Sequence, residues 1–293
     1  MGAALIILPM YTTLISPPEL ATRVGDSSWL IVDCRFELTN PAAGAAAYRA
    51  SHIPNAVYAH LDRDLAAPIT PSSGRHPLPS PAQFAATLGA WGVDKDTQVI
   101  AYDGDSGMYA ARLWWMLRWV GHRKVAVLEG GFKAWSAAGL PVSNEIPQRT
   151  PTRFQAQPDR NAWLDAAAVA DRVQRSDWRL LDARAPERFA GAVEPIDAVA
   201  GHVPGASNHP FALNLTADGR FASAPQLQAR FAQSQAGVAD DQTIVMCGSG
   251  VTACHLLLAL EIAGKPGAKL YPGSWSEWIR DPQRPVAKGP AER

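Results

Sequence analysis

Residues 243–264 read TIVMCGSGVTACHLLLALEIAG, and the rest of the chain can be understood from them. The first four residues are apolar and mostly β-branched, in a run too short for a helix, which predicts a buried parallel strand. Cys247 follows, with glycines at 248 and 250, and residues 251–264 are then apolar on nearly every face until a closing glycine. That pattern predicts a buried helix. The stretch is therefore predicted to form a strand, a cysteine-containing turn and a helix.

The turn has the composition of an anion-binding loop. Its two glycines allow successive N–H groups to point into one concavity, with the N-terminus of the following helix behind them. A cysteine at the centre of such a loop has its thiolate stabilised by those dipoles. The alternative is a structural cysteine buried at the end of a strand, which is a common environment for free thiols. A buried strand end does not require two glycines, so we predict that Cys247 is a reactive nucleophile.

Length and composition narrow the class of protein. A chain of 293 residues is long enough for about two domains, and 47% apolar with 18% charged residues is typical of a globular protein. Lys and Arg together number 27, as do Asp and Glu, so the charge indicates neither nucleic acid nor an anionic membrane as a partner. Three isolated cysteines provide no disulfide framework and no zinc-binding spacing. We therefore expect no metal and a reducing, cytoplasmic location.

The first residues carry a separate prediction. Residues 2–10 are apolar, but the segment is too short to span a membrane and lacks the basic start of a signal peptide. We expect the native chain to begin at Met10, with the nine preceding residues as an upstream extension. An intact mass that includes Met1 would contradict this expectation.

The chain also contains a long internal repeat. Four features of its first half recur in the same order, displaced by 143 to 150 residues. The paired positions are Asp33 with Asp182 at an Asp-x-Arg strand end, His52 with His202 in a His-x-Pro turn, Asp103 with Cys247, and Trp135 with Trp278. A repeat of this length indicates two copies of a whole domain rather than a solenoid.

Each copy alternates strands with helices, which predicts an α/β fold with a mostly parallel sheet flanked by helices. We place the first domain at 10–142, a linker at 143–158 and the second domain at 159–288. Because the first copy has Asp103 where the second has Cys247, only the second domain can form a thiolate at this position. We predict that the second domain is catalytic. The Asp-x-Arg pairs and the repeated histidines are expected to be structural.

These motifs resemble the rhodanese family, and more narrowly its two-domain thiosulfate and 3-mercaptopyruvate sulfurtransferases. The resemblance extends from about residue 16 to residue 286 and is most specific in the loop 247–252, CGSGVT. It implies two tandem rhodanese-like domains and a Cys247 that accepts a sulfane sulfur as a persulfide. It implies no organic cofactor, a small-molecule sulfur donor, and an acceptor that is thioredoxin, a small thiol or cyanide.

The uncharged loop is similar to that of enzymes acting on 3-mercaptopyruvate, whereas thiosulfate enzymes have charged residues after the cysteine. Thiosulfate is a dianion that gains from cations in the loop, while mercaptopyruvate has one carboxylate that an arginine can hold bidentately. The resemblance assigns that carboxylate to Arg188. It implies a second arginine near 194–200, but this segment reads EPIDAVA and contains none. We expect the absence to raise the Michaelis constant.

The resemblance also implies roles for other residues of the site. A relay of Ser249, His76 and Asp62 would connect the loop to the first domain and transfer protons through a group whose pKa lies near neutrality. The backbone N–H groups of the loop would bind the donor and cradle the persulfide. These loop positions are Gly248, Gly250, Val251 and Thr252.

Three alternatives were compared with this prediction. A phosphatase of the same fold needs an arginine six residues after the cysteine, and Ala253 stands there. A thiosulfate:cyanide sulfurtransferase would use the same nucleophile, and only the loop argues against it, so it remains the second candidate. A non-catalytic binding module is the third, and the presence of Cys247 in its loop argues against that class.

Overall fold

The computed structural model describes residues 10–290, in which the chain forms two similar halves, each built on a parallel β-sheet. The expectation that the chain begins at Met10 concerns residues 1–9, which lie outside the described range. Between residues 10 and 290 no helix is both long and apolar enough to cross a bilayer.

The first half contains a five-stranded sheet in the order β1-β5-β4-β2-β3, with every pair parallel. A strand that is followed by a helix and then by a parallel neighbour is the arrangement expected from the alternating pattern. The elements are β1 (Leu14–Ile15), α1 (Pro17–Ala21), β2 (Trp29–Asp33), α2 (Ala42–Ala50), β3 (Ala56–Tyr58), α3 (Leu61–Asp64), α4 (Pro81–Ala90), β4 (Gln98–Tyr102), α5 (Ala110–Trp119), β5 (Val125–Leu128) and α6 (Gly131–Ala137).

The second half repeats this topology with a four-stranded parallel sheet in the order β7-β6-β8-β9. A parallel bridge between Trp163 and Leu270 takes the place of the pairing of β1 with β5. The elements are α7 (Ala166–Arg172), β6 (Arg179–Asp182), α8 (Pro186–Phe189), β7 (Ala206–Asn208), α9 (Ala224–Ala232), β8 (Thr243–Met246), α10 (Thr252–Ile262), β9 (Lys269–Leu270) and α11 (Ser274–Trp278).

The predicted fold class is confirmed: two α/β domains, each with a parallel sheet flanked by helices. The helix predicted over 251–264 extends from Thr252 to Ile262, and no helix or strand lies between residues 138 and 165. The precise limits of the domains and of the linker at 143–158 stay a prediction.

The register of the strands positions the cysteine loop. Asp182 at the end of β6 pairs with Met246 at the end of β8, so Cys247 leaves the sheet directly beside the Asp-x-Arg segment. The first sheet has the same register, with Asp33 opposite Tyr102 and Asp103 as the next residue. The carboxyl edge of a parallel sheet is where α/β proteins place their binding sites.

One hydrophobic cluster spans both halves, and each half has a further cluster of its own. Helix α5 of the first half packs against α10 of the second, and a continuous cluster of buried apolar side chains includes residues of both. Arg118 on α5 forms an ion pair of 2.6 Å with Glu261 on α10. The loops at the carboxyl edge of the second sheet are therefore held against loops of the first domain.

Candidate active site

Cys247 is only 2% exposed and is held by hydrogen bonds of its sulfur, its N–H and its carbonyl. Its Sγ atom accepts a hydrogen bond of 3.1 Å from the N–H of Gly250, and its own N–H donates to Ser274 Oγ at 3.0 Å. The N–H of Trp275 donates to the Cys247 carbonyl at 3.0 Å, which fastens α11 to the loop. An N–H donor on the sulfur, followed by the N-terminus of the eleven-residue α10, favours negative charge at this position.

The two glycines of the loop have different steric roles. Gly250 has φ of +78°, and a Cβ atom built there would lie 2.3 Å from the carbonyl oxygen of Pro272. Only glycine fits this conformation and this close approach. At Gly248 a Cβ atom would instead lie 2.9 Å from Nη2 of Arg75 and 3.5 Å from Nη1 of Arg188. Gly248 therefore leaves space beside these two guanidinium groups.

Asp62, His76 and Ser249 form a continuous chain of contacts between the domains. His76 Nδ1 lies 2.7 Å from Ser249 Oγ, and His76 Nε2 lies 3.3 Å from Asp62 Oδ1. A carboxylate can only accept, so Nε2 carries the ring proton and Nδ1 accepts from the serine hydroxyl. The structure thus brings together the three residues that the resemblance implied, with His76 between Ser249 and Asp62.

The electrostatic state of His76 differs from the expectation. Burial, together with the charges of Arg112 and Arg75, lowers the pKa of His76 to about 3, even though Asp62 contacts its other nitrogen. The expectation of a pKa near neutrality is therefore wrong, because the His76 side chain is buried, although its loop is only partly so. The imidazole is neutral at physiological pH and can pass a proton only by accepting one as it donates another.

Arg188 lies at the end of α8, beside the cysteine loop, and two carboxylates orient it. Its Nε and Nη2 atoms bind Glu194 at 2.8–3.2 Å, and Nη2 also contacts Asp197 at 3.0 Å. Both carboxylates are nearly buried. Their hydrogen bonds use one side of the guanidinium and leave Nη1 directed at Gly248.

The Asp-x-Arg pairs close the strand ends in both halves, as expected. Arg184 Nη2 binds Asp182 Oδ2 at 2.6 Å and the Gly201 carbonyl at 2.9 Å. The equivalent pair of Arg35 and Asp33 has the same 2.6 Å contact. The buried Arg184 also lies over the ring of Trp275.

The first domain has the same loop but fills it with its own side chain. The Asp103 carboxylate accepts hydrogen bonds from the N–H groups of Gly107, Tyr109 and Ala110 at 2.8–3.2 Å. Burial nevertheless raises the pKa of Asp103 above its ordinary value. The loop of the first domain is therefore occupied by an internal acceptor, whereas the loop of the second presents a sulfur.

The other two cysteines are held as thiols. Burial raises the pKa of Cys254 to about 12, and its Sγ donates to the Gly250 carbonyl at 3.2 Å. Burial and neighbouring carboxylates raise the pKa of Cys34 well above its ordinary value. Neither is a plausible nucleophile, and residues 10–290 contain no cluster of His, Cys, Asp and Glu side chains arranged to hold a metal ion.

A cavity of about 240 Å³ opens onto Cys247 between the two domains. Guanidinium groups lie near the loop, and apolar side chains of both domains form the rest of its wall. Its lining includes Leu38, Leu61, His76, Met108, Tyr109, Arg75, Arg184, Arg188, Ile196, Phe211, Val251 and Thr252. The volume suits a small anion with a short carbon skeleton rather than a large cofactor.

Sequence reasoning missed two arginines of the first domain. Arg75 follows Gly74 in the loop that carries His76, and its guanidinium reaches Asp197. Arg112 is fully buried in α5 and donates to the carbonyls of Leu65, His76 and Gly250 at 3.1–3.4 Å. The position of Arg112 in the largely apolar segment 110–119 could have indicated a buried arginine. No local pattern distinguishes Arg75 from a surface residue.

The fold and the cavity together define a two-domain α/β protein in which the Cys247 sulfur lines a cavity at the domain interface. A family model described as Rhodanese-like domain matches residues 16–138 and again residues 165–281. A Pseudomonas aeruginosa protein named "Probable 3-mercaptopyruvate sulfurtransferase" is 50% identical over 278 residues, which are 94% of this chain and 98% of that protein. The thiosulfate sulfurtransferase of Cricetulus griseus is 35% identical over 293 residues, covering 96% and 97% of the two chains.

Solved structures agree with these matches. The crystal structure of SseA, a 3-mercaptopyruvate sulfotransferase of Escherichia coli, has a TM-score of 0.79 and 33% identity, covering 91% of this chain and 100% of that one. The chain therefore belongs to the rhodanese family, with two rhodanese domains in tandem. Its enzymatic class is that of the sulfurtransferases.

Proposed function

We propose that this sulfurtransferase moves a sulfane sulfur from 3-mercaptopyruvate to a thiol or to cyanide through a persulfide on Cys247. The observation that carries the proposal is one cavity lined by Cys247, whose sulfur accepts an N–H bond, and by the guanidinium groups of Arg75 and Arg188 near Gly248. The Pseudomonas aeruginosa relative bears the name of a mercaptopyruvate enzyme, which agrees with this choice of donor.

In the first step the Cys247 thiolate attacks the sulfur of mercaptopyruvate. A sulfur–sulfur bond forms and the carbon–sulfur bond breaks, leaving its electron pair on the enolate of pyruvate. One proton must then move from the donor sulfur to the methyl carbon of pyruvate, and no oxidant is required. Ser249, oriented by His76 and Asp62, is placed to carry that proton.

The loop N–H groups from Gly248 to Thr252, with the N-terminus of α10, would stabilise the persulfide anion that remains. In the second step an acceptor thiolate or cyanide attacks the outer sulfur and regenerates the Cys247 thiolate. We infer that a small thiol or a thioredoxin is the natural acceptor. Such acceptors require a reducing compartment, and we infer a cytoplasmic location because all three cysteines are unpaired.

The charge of the cavity favours a monocarboxylate over the thiosulfate dianion. Three arginines near Cys247, at positions 75, 184 and 188, are matched by three buried carboxylates, at positions 182, 194 and 197. These pairs balance, and the buried Arg112, which forms no ion pair within residues 10–290, adds one positive charge beside Gly250, which suits a monocarboxylate better than a dianion. The thiosulfate reaction remains the second candidate, since relatives such as that of Cricetulus griseus bear that name.

The test is to offer the purified protein 3-mercaptopyruvate and thiosulfate separately and to follow intact mass and sulfur transfer to cyanide. We expect one added sulfur that maps to Cys247, with faster turnover from mercaptopyruvate. The Cys247→Ser variant should gain no sulfur, and Cys254→Ser should behave as the wild type. Faster turnover from thiosulfate would favour the second candidate, and no added sulfur from either donor would contradict the persulfide mechanism.

A further inference from the structure

The loop 74–79 carries Arg75 from the first domain onto the second. The backbone N–H of Arg75 donates to Ser276 Oγ at 3.0 Å. The preceding residue packs so closely that a Cβ atom on Gly74 would lie 2.5 Å from the Gly273 carbonyl oxygen. The loop is therefore docked through its backbone, and the side chain of Arg75 is not needed for the docking.

Asp197 links the side chain of Arg75 to that of Arg188. One carboxylate oxygen binds Nη1 of Arg75, and the other lies 3.0 Å from Nη2 of Arg188. The remaining terminal nitrogens, Nη2 of Arg75 and Nη1 of Arg188, both face Gly248. Two guanidinium groups from different domains thus converge on one point beside Cys247.

We propose that Arg75 is the second arginine of the donor-carboxylate site and that Asp197 is the residue that positions both arginines. The inference rests on the proposed function and deepens it. The segment 194–200 was expected to provide a second arginine, yet it places apolar Ile196 in the cavity wall. The first domain therefore provides the cation that the second domain lacks.

The geometry suits a single carboxylate. Each arginine uses one terminal nitrogen on Asp197 and offers another, so a carboxylate at Gly248 receives one charge-assisted bond on each oxygen. Among residues 10–290 the buried Nε atom of Arg75 has no hydrogen-bond partner, so the protein itself does not saturate this guanidinium. The expectation of a raised Michaelis constant, which assumed one arginine, does not apply if Arg75 has this role.

Arg75→Ala is the direct test, with Arg75→Lys as the conservative variant. The matched control is Arg280→Ala, since Arg280 donates through Nε to the carbonyl of Ser73, the residue immediately before this loop. We expect Arg75→Ala to raise KM for 3-mercaptopyruvate about tenfold while kcat changes less than about threefold. Arg75→Lys should recover part of the loss, because it keeps the charge without the planar fork. Arg280→Ala should match the wild type.

Alkylation of Cys247 provides a second readout that needs no sulfur transfer. Iodoacetate carries a carboxylate and iodoacetamide does not, so the ratio of their rates reports anion binding beside the sulfur. We expect Arg75→Ala to slow alkylation by iodoacetate about tenfold relative to iodoacetamide. The Asp197→Glu variant keeps the negative charge but moves the carboxylate, so it should lower the same ratio because the two guanidinium groups are no longer held together beside Gly248.

The outcomes separate this inference from the proposed function. If wild-type protein takes no sulfur from mercaptopyruvate, the proposed function fails, while the alkylation ratio still shows whether Arg75 binds a carboxylate. If Arg75→Ala folds, as judged by its urea denaturation, and keeps both the wild-type KM and the wild-type ratio, the inference is overturned. If the Ala variant does not fold, the same two measurements on Arg75→Lys decide, with unchanged values again counting against it.

Discussion

At the scale of single residues, the proposed relay contains one buried histidine that stays neutral. Burial and two arginines lower the pKa of His76 to about 3, so its imidazole is neutral at physiological pH. Its contacts to Ser249 and Asp62 nevertheless define a direction for the proton. A neutral relay fits a reaction in which a proton moves from sulfur to carbon with no net uptake from water.

We predict that His76→Asn and Ser249→Ala each lower kcat for mercaptopyruvate about a hundredfold and change KM by less than about threefold. Since both belong to one relay, the double variant should lose little more than either single variant. Steady-state kinetics with 3-mercaptopyruvate and cyanide provide the measurement. Additive losses in the double variant would show that the two residues act separately.

The pKa of His76 also predicts the shape of the activity profile. With a pKa of about 3, His76 does not titrate between pH 5 and pH 9, so it contributes no inflection near pH 6.5. We expect kcat of the wild type and of His76→Asn to have profiles of the same shape across this range. An inflection near pH 6.5 that disappears in the variant would show that the imidazole is charged in its resting state.

At the scale of elements, both domains have the same strand, loop and helix, but only the second domain has a cysteine in the loop. After β4 the loop closes on the Asp103 carboxylate, and after β8 it closes around the Cys247 sulfur. The backbone of such a loop requires glycine where φ is positive and neighbours approach closely. The same strand, turn and helix therefore form a binding site or a filled structural loop according to one side chain.

Gly250→Ala should lower the free energy of unfolding by about 2 kcal/mol or more, because it combines a positive φ with a clash against the Pro272 carbonyl. Gly104→Ala is the matched control in the first domain, since a Cβ atom there meets nothing within 4 Å. Urea denaturation followed by tryptophan fluorescence measures both. Equal stabilities of the two variants would mean that the loop around Cys247 can relax without cost.

At the scale of the whole molecule, the first domain completes the site of the second. Arg112 reaches from α5 to the carbonyl of Gly250 and to the loop of His76, so one buried guanidinium supports both sides of the cavity. His255 on α10 lies across the same interface, with Nε2 3.0 Å from the carbonyl of Ser106. Neither domain alone contains the relay, the two arginines and the cysteine.

Acid should weaken this interface. Burial lowers the pKa of His255 to about 3, as it does for His76. As the pH falls below 6.5, both histidines therefore become protonated in the unfolded chain before they do so in the folded chain. Stability from each histidine is complete above that pH and declines as the pH falls toward 3, at about 1.4 kcal/mol per unit. At pH 5 each contributes about 2 kcal/mol less than at pH 7.5.

The variant His255→Gln isolates one of these contributions. Between pH 7.5 and pH 5 the wild type should lose about 2 kcal/mol more unfolding free energy than the variant, whose side chain does not titrate. Urea denaturation at both pH values gives the comparison. Parallel losses in the two proteins would show that His255 is already protonated in the folded state, contrary to its buried position.

The sequence by itself determined the fold class, the tandem repeat, the position of the cysteine loop and the family. The first three follow from local patterns: strand periodicity, glycines at alternate positions, and landmarks that recur at a near-constant offset. The family follows from the resemblance of the motifs to those of rhodaneses. The contacts among Ser249, His76 and Asp62 were predicted through resemblance to known motifs. The charge state of His76 was not predicted, because its pKa depends on burial and on arginines that only the fold brings near it.

Only the tertiary structure decided which groups surround the sulfur. Arg75 and Asp197 are 122 positions apart, and Arg112 and Gly250 are 138 apart, so no local pattern connects them. Their meeting depends on how α5 packs against α10 and how loop 74–79 docks on α11. The sequence therefore indicated one arginine near Cys247, Arg188. The folded chain brings two arginines together near Gly248, because docking of the domains adds Arg75 from the first domain.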